Sequence, residues 1–309
     1  MRFEYYSHSK VRTWRRCQKL FDYKYEQGLI RKTAPAALLR GVTIHEMLDA
    51  RVMGKDPMEA LVAYTKVYNE LWDEEKEKYP SPEELTSLYH RYVEYYKDDN
   101  LDYGGRSEIE VTAEYQGIKF LGIIDKIPQD DAGRTFVLDH KSHKIIPDEN
   151  NRFSDLQTVL YWWALRERGE ETDGVIWDYL RTKPPAVVEV LKKGGLTRRV
   201  NLDSDYDTYM KAVIDNELDP ADYQEELNRL KGNIFFKRVY LPRPAEELVT
   251  NIVEEFFTTA QEIENSTSKV RNMTRDCSSC SYFQLCQAEL RGLDGSFIKK
   301  QMFTVREPK

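Results

Sequence analysis

The spacing of apolar residues predicts that the first third of the chain is helical. Apolar positions recur at the helical interval of three to four residues in three segments, namely 34–53, 57–78 and 82–97. Pro57 and Pro82 lie near the starts of the last two segments, where a missing backbone N–H is tolerated. A basic helix that begins with a serine cap is predicted over residues 9–17.

Beyond Gly104 and Gly105 the apolar residues change from a helical period to alternation, which is typical of strands. The predicted elements are strands at 107–115, 117–128 and 134–141, a helix at 153–168 and a strand at 174–182. This order indicates a compact α/β core. The later elements are less regular, with strands predicted at 186–191, 196–200 and 235–241 and helices at 204–230 and 243–266.

These elements divide the chain into four regions. We expect an N-terminal helical region at 1–106, the α/β core at 107–183, additional strands and helices at 184–268, and a cysteine-containing C-terminal region at 269–309.

Charge is distributed unevenly along a chain whose net charge is −7. Residues 1–32 carry nine Lys and Arg against three Asp and Glu, and residues 269–309 carry eight against four. Because salt screens charges beyond ~8–10 Å, a basic patch can bind phosphates on an acidic protein. The alternative is that both basic ends are merely solvated. A mean hydropathy of −0.68, with no long apolar stretch and no apolar leader, predicts a cytoplasmic protein without a membrane segment.

The four cysteines are concentrated near the end of the chain. Cys277, Cys280 and Cys286 have C-x2-C-x5-C spacing, and Cys17 lies far upstream. Four thiolates suit either zinc or an iron–sulfur cluster. If Cys17 ligates with the other three, the cofactor joins the two chain ends and brings both basic segments to one face. The alternative is a C-terminal zinc knuckle completed by another ligand, with Cys17 in the core.

Two neighbouring predicted strands end in acids, which are costly beside apolar residues unless something compensates them. Asp125 follows Gly122 by three residues, and Asp139 stands just before His140 and Lys141. Because residues two apart share a face of a strand, Asp139 and Lys141 point to one side and His140 to the other. Two carboxylates that hold a divalent metal, with a lysine that orients water or stabilises charge, suit phosphodiester hydrolysis. The alternative is a structural Asp–Lys ion pair.

Three further residues are candidates for the same site. Gln157 and Tyr161 are one helical turn apart on the helix that follows the Asp-x-Lys strand, so one face carries both. His45 lies in an early helix, where a buried core histidine is the alternative.

Together these residues resemble the RecB-type branch of the PD-(D/E)XK nuclease superfamily, in particular its iron–sulfur members, which include CRISPR-associated and phage exonucleases. The motifs stand in the expected order: Gly-x3-His at 41–45, Gly-x2-Asp at 122–125, Asp-x-Lys at 139–141 and Gln-x3-Tyr at 157–161, within the split cysteine pattern. The resemblance covers residues 9–286. It implies a restriction-endonuclease-like core, in which helices flank a central mixed β-sheet.

The resemblance also implies a role for each motif residue. It assigns metal binding to His45, Asp125, Asp139 and the backbone carbonyl of His140, catalysis to Lys141, and positioning of DNA or ordering of the site to Gln157 and Tyr161. The four cysteines Cys17, Cys277, Cys280 and Cys286 would hold a mainly structural [4Fe–4S] cluster. His140 departs from the family, where an aromatic residue often stands between the Asp and the Lys.

The function expected from the resemblance is a metal-dependent DNA exonuclease. It would act on single strands or DNA ends in recombination, repair or phage DNA processing. One imidazole with two carboxylates predicts activity with magnesium and manganese, and often more with manganese. The sequence has no G-x4-G-K-[ST] loop, so a helicase or recombination partner would be a separate chain. The alternatives are a non-catalytic module that binds DNA ends or a partner, and a zinc-stabilised protein without a nucleic-acid role.

Overall fold

The computed structural model describes residues 3–148 and 156–306. The N-terminal part contains α1 (His8–Arg16), α2 (Gln18–Phe21), a π-helical turn (Asp22–Glu26) and strand β1 (Leu29–Arg31). Four helices follow: α3 (Ala36–Val52), α4 (Met58–Asn69), α5 (Asp73–Lys76) and α6 (Pro82–Tyr95). Ser7 caps α1 by accepting a hydrogen bond from the Lys10 amide, and Ser81 caps α6 in a reciprocal capping box with Glu84.

The central elements are β2 (Ile109–Tyr115), β3 (Ile118–Ile124), β4 (Phe136–His143), α7 (Gln157–Glu167) and β5 (Gly174–Arg181). They are followed by α8 (Tyr206–Asp215), a 3-10 turn (Pro220–Tyr223), α9 (Gln224–Leu230), β6 (Phe236–Pro242) and α10 (Glu246–Asn265). The chain continues through a 3-10 turn (Arg275–Ser279) to α11 (Phe283–Leu290), α12 (Ser296–Met302) and β7 (Phe303–Val305).

The strands run in mixed directions. β2 and β3 form an antiparallel hairpin, while β4 pairs with β5 in parallel and β5 pairs with β6 antiparallel. Backbone hydrogen bonds of 2.9 and 3.3 Å between Lys126 and Leu138 join the hairpin to the three-stranded sheet. The predicted α/β class, with mixed strands flanked by helices, is confirmed.

The main hydrophobic core surrounds α7. All residues of α7 from Thr158 to Leu165 are buried, as expected of a helix that is covered on every side. The same core contains Trp14 of α1, Phe120 of β3 and Phe257 of α10. Helix α1 therefore shares this core with the elements that carry the candidate catalytic residues.

Protein contacts hold the two ends of the chain together. Strand β1 pairs antiparallel with β7, and the Tyr23 and Tyr282 rings stack with centroids 5.4 Å apart. The Lys269 ammonium also lies 2.6 Å from a carboxylate oxygen of Asp22, whose side chain is 1% exposed. A cofactor on the cysteines would thus add to a junction that the protein already forms.

Two predicted helices are in fact interrupted. The segment 57–78 contains α4 and α5 as separate helices, because a new helix starts at Asp73 with three acids in its first turn, where the helix dipole favours them. In the segment 204–230, α8 ends at Asp215, and a separate 3-10 turn starts at Pro220, which follows the capping side chain of Asp219.

The strands predicted at 186–191 and 196–200 are also wrong, since within the described residues these segments share only the isolated bridge between Val190 and Leu196. The other predicted elements are found within a few residues of their expected bounds, and the start of the 153–168 helix lies outside the described residues. Of the helices in the described ranges, none is long and apolar enough to span a membrane.

Candidate active site

Asp125 lies where α3, β3 and β4 meet. It directly follows β3, and its Oδ2 accepts a 2.7 Å hydrogen bond from the backbone amide of His140 on β4. The Nδ1 atom of His45, on α3, lies 3.9 Å from the same oxygen. The structure therefore brings together two candidate metal ligands that are far apart in the sequence.

Asp139 and Lys141 form an ion pair on one face of β4, between Oδ2 and Nζ. Asp139 is buried, and the Lys141 side chain is mostly buried. The alternation predicted for this strand is thus confirmed. Because the amine is held beside a carboxylate, Lys141 is placed to orient a substrate oxygen or stabilise negative charge next to the carboxylates.

His140 points to the opposite face of β4. Its Nδ1 lies 3.1 Å from Oδ2 of Asp178, the residue directly opposite it on β5, and both side chains are almost fully buried. Burial alone would raise the pKa of Asp178, but the hydrogen bond and charge of His140 and the charge of Arg238 outweigh it and lower that pKa. Tyr92 also donates a hydrogen bond to this carboxylate.

The His140 imidazole therefore lies against Asp178, while its ring also meets the ring of the candidate ligand His45 edge to face, with centroids 5.5 Å apart. This explains how a histidine can replace the aromatic residue of the family motif, since Asp178 supplies a buried partner for it. The metal-binding role predicted for the His140 backbone carbonyl stays a prediction.

Gln157 and Tyr161 lie together at the start of α7, where the Gln157 amide donates a hydrogen bond to the Tyr161 hydroxyl. Burial raises the pKa of Tyr161, and the nearby negative charge of Asp139 raises it further. A Cβ atom on Gly122 of β3 would lie 2.5 Å from Cε1 of Tyr161. The Gly-x2-Asp and Gln-x3-Tyr motifs thus meet, because only a glycine leaves room for this ring.

Sequence reasoning missed a buried ion pair behind the site. The ammonium of Lys126, next to Asp125, lies 2.5 Å from Oδ1 of Asp49, and the Lys126 side chain is 1% exposed. Asp49 stands one turn after His45 on α3, and Ser107 donates a hydrogen bond to the same oxygen. The pair therefore connects the helix of His45 to the strand of Asp125. The four-residue spacing of His45 and Asp49 was the available signal.

The His45 imidazole favours its neutral, metal-binding form. Burial lowers the pKa of His45, and the charge of Asp125 opposes this only in part. Across residues 3–148 and 156–306, no group of three or more His, Cys, Asp or Glu side chains is arranged as a metal site. The donor types nevertheless fit magnesium or manganese, because His45, Asp125 and Asp139 offer two carboxylates and one imidazole.

The four cysteines converge at the junction of the chain ends. Cys17 directly follows α1, Cys277 and Cys280 lie in and after the 3-10 turn, and Cys286 lies on α11. All four are free and line one cavity of about 40 Å³. Burial raises the pKa of the Cys280 thiol, and the nearby Cys17 and Cys277 act in the same direction.

Positive groups surround this cavity. Arg16 and Arg271 line it, and Arg16 acts to lower the pKa of Cys280. Burial outweighs the charge of Arg16, so the pKa of Cys280 is raised overall. The donor type is that of a zinc or iron–sulfur site.

The comparison with protein families identifies the superfamily of the chain. The model of the PD-(D/E)XK nuclease superfamily matches residues 5–287, and the chain therefore belongs to this superfamily.

Among solved structures, the chain is similar to the crystal structure of a protein designated SSO0001, with a TM-score of 0.36 and 11% identity. That match covers 93% of this chain and 87% of the other. The chain is also similar to a candidate exonuclease from Eubacterium rectale, with a TM-score of 0.41 and 14% identity over 79% of this chain and 92% of the other. The search of curated proteins finds no match.

Proposed function

We propose that this nuclease is a divalent-metal-dependent DNA exonuclease that acts on single strands or DNA ends. The observation that carries the proposal is that Asp125, with His45 3.9 Å away, accepts a hydrogen bond from the backbone of His140, the residue between the paired Asp139 and Lys141. Carboxylates that hold a divalent metal, together with a nearby lysine, suit phosphodiester hydrolysis.

Each side chain has a distinct part in this proposal. His45, Asp125 and Asp139 would hold magnesium or manganese, which polarises the phosphate and lowers the pKa of bound water. Lys141 would stabilise the charge that develops on the phosphate. Gln157 and Tyr161 would order the site, because their hydrogen bond fixes the ring that packs on Gly122.

We further propose that the four cysteines hold a [4Fe–4S] cluster with a structural role, as in the RecB-type iron–sulfur branch. Their convergence on one cavity supports this over a role for Cys17 in the core. Iron and sulfide analysis after anaerobic purification tests it. About four irons and four sulfides per chain are expected, whereas zinc without iron would contradict the cluster.

A nuclease of this kind would serve recombination, repair or phage DNA processing in the cytoplasm. Any helicase partner would be a separate chain. The four-region division of the chain, with the core at 107–183, remains part of the same proposal.

The test of the catalytic assignment is cleavage of an end-labelled single-stranded oligonucleotide in manganese and in magnesium. Lys141→Ala and Asp139→Asn should each lower the rate by about 10²–10³-fold or more. Lys119→Ala, which removes an exposed lysine from β3, is the matched control and should keep full activity. Circular dichroism identifies any variant that fails to fold. Full activity in a folded Lys141→Ala or Asp139→Asn protein would refute the site.

A further inference from the structure

A groove lies beside the candidate active site, between β4 and α1. Its volume is about 560 Å³, and Lys141 and Gln157 line one side of it. Arg12 and Arg15 of α1 line the other side. We call this the α1 groove. It places the basic N-terminal helix next to the lysine that the proposed reaction uses.

The two arginines of the α1 groove differ in their contacts. The Arg15 guanidinium donates hydrogen bonds of 2.9 Å to the Thr259 hydroxyl and 2.6 Å to the Glu255 carbonyl. The Glu255 carboxylate, which also lines the groove, lies 3.8 Å from Arg15. Arg15 is therefore engaged in holding α1 against α10, and it partly neutralises the acid in the lining.

Arg12 is exposed, and within residues 3–148 and 156–306 nothing forms a hydrogen bond or ion pair with its guanidinium. An arginine in this state can bind a phosphate through two parallel hydrogen bonds at little cost in desolvation. Its neighbours fix its position, because Val11 and Trp14 anchor α1 in the main core. The cation is thus presented from a rigid helix.

We propose that the α1 groove binds the backbone of the single DNA strand that enters the active site, with Arg12 contacting a phosphate that is not the one cleaved. The inference rests on the proposed nuclease function and adds the path of the strand. The α1 groove would hold the strand while the phosphate to be cleaved lies at Lys141. Because the contacted phosphate does not react, Arg12 would contribute to binding and not to the chemical step.

The test is fluorescence anisotropy with a labelled oligodeoxythymidylate at several salt concentrations in the presence of EDTA, so that binding is measured without cleavage. The binding constant K falls as salt rises, and loss of one phosphate contact should make the slope of log K against log salt shallower by about 0.7. This corresponds to about fivefold weaker binding at 0.1 M salt. Arg12→Ala should show this change, and Arg12→Lys should keep most of the slope because it keeps the charge. Lys66→Ala, which removes an exposed charge on α4, is the control and should leave the slope unchanged.

Steady-state cleavage separates this inference from the proposed function. Arg12→Ala should raise KM and leave kcat unchanged. If Arg12→Ala leaves the salt slope and KM unchanged while the wild type is active, the DNA-binding role of the α1 groove is refuted and the nuclease function stands. If the salt slope depends on Arg12 but neither metal supports cleavage, the DNA-binding role of the α1 groove is supported and the proposed nuclease activity is refuted. A wild-type protein that does not bind the oligonucleotide would overturn the α1 groove.

Discussion

The buried pair of Lys126 and Asp49 makes a strong prediction about stability. Lys126→Met removes the ammonium that lies 2.5 Å from the Asp49 carboxylate and 3.3 Å from the Ser107 hydroxyl. The Lys126 side chain is 1% exposed and that of Asp49 is 14% exposed, so water replaces the lost cation only in part. After the substitution, Asp49 would keep Ser107 as a hydrogen-bond donor.

The size of the effect follows from this environment. Removing one partner of a buried ion pair costs about 3–5 kcal/mol, because the other charge is left uncompensated. The remaining bond from Ser107 and the partial exposure of Asp49 place the expected cost for Lys126→Met at the lower end, about 3 kcal/mol. The double variant Lys126→Met with Asp49→Leu removes both charges and should recover most of this loss.

Urea unfolding gives the free energy of unfolding of the wild type, Lys126→Met, Asp49→Leu and the double variant. The four values form a double-mutant cycle that yields the interaction energy of the pair. Unfolding free energies of Lys126→Met and the wild type that agree within 1 kcal/mol would refute the reasoning. The same cycle reports on the site, because the pair connects the helix of His45 to the strand of Asp125. We expect the folded double variant to need more manganese for half-maximal cleavage than the wild type.

Three other predictions concern packing, pH and the cysteines. Gly122→Ala should destabilise the protein by about 1–3 kcal/mol in urea unfolding and slow cleavage, because the new Cβ would lie 2.5 Å from the Tyr161 ring; unchanged stability would contradict that contact. Burial alone would raise the pKa of Asp22, but hydrogen bonds that include the one from Lys269 lower it. The ionised Asp22 carboxylate therefore stabilises the fold above about pH 4, and this stabilisation is lost as the pH falls through the lowered pKa. Asp22→Asn should lower the free energy of unfolding by about 1.5–3 kcal/mol at pH 7. In melting experiments this loss of stability should shrink below pH 4, and a loss that does not change with pH would contradict the reasoning. Cys17→Ser should lower both bound iron and the melting temperature, and retention of both would contradict a four-cysteine cluster.

The part of the site that sequence predicts best is the part that local geometry controls. The alternation along β4 correctly placed Asp139 and Lys141 on one face and His140 on the other, because a strand fixes side-chain direction with a period of two. The helical spacing of Gln157 and Tyr161 likewise placed both on one face, and their hydrogen bond confirms it.

The contacts that sequence could not predict join distant segments. The Lys126–Asp49 pair links residues that are 77 positions apart, and His140 meets Asp178 through the register of two parallel strands. The local pattern of a strand determines which of its faces is buried, but it does not identify the distant strand with which it pairs. The single helix predicted over 204–230 failed for a different reason. Helix α8 ends at Asp215, two residues before Glu217 takes a positive φ of 55°, and Pro220 then starts a separate turn.

The central claim is that the site around Lys141 degrades DNA from its ends. The most direct measurement compares linear and covalently closed circular single-stranded DNA, in manganese and in magnesium, with the wild type and Lys141→Ala. The account predicts that the wild type degrades linear DNA, leaves circles intact, and loses this activity in Lys141→Ala. Circles cut as fast as linear DNA, or linear DNA degraded equally by Lys141→Ala, would contradict it.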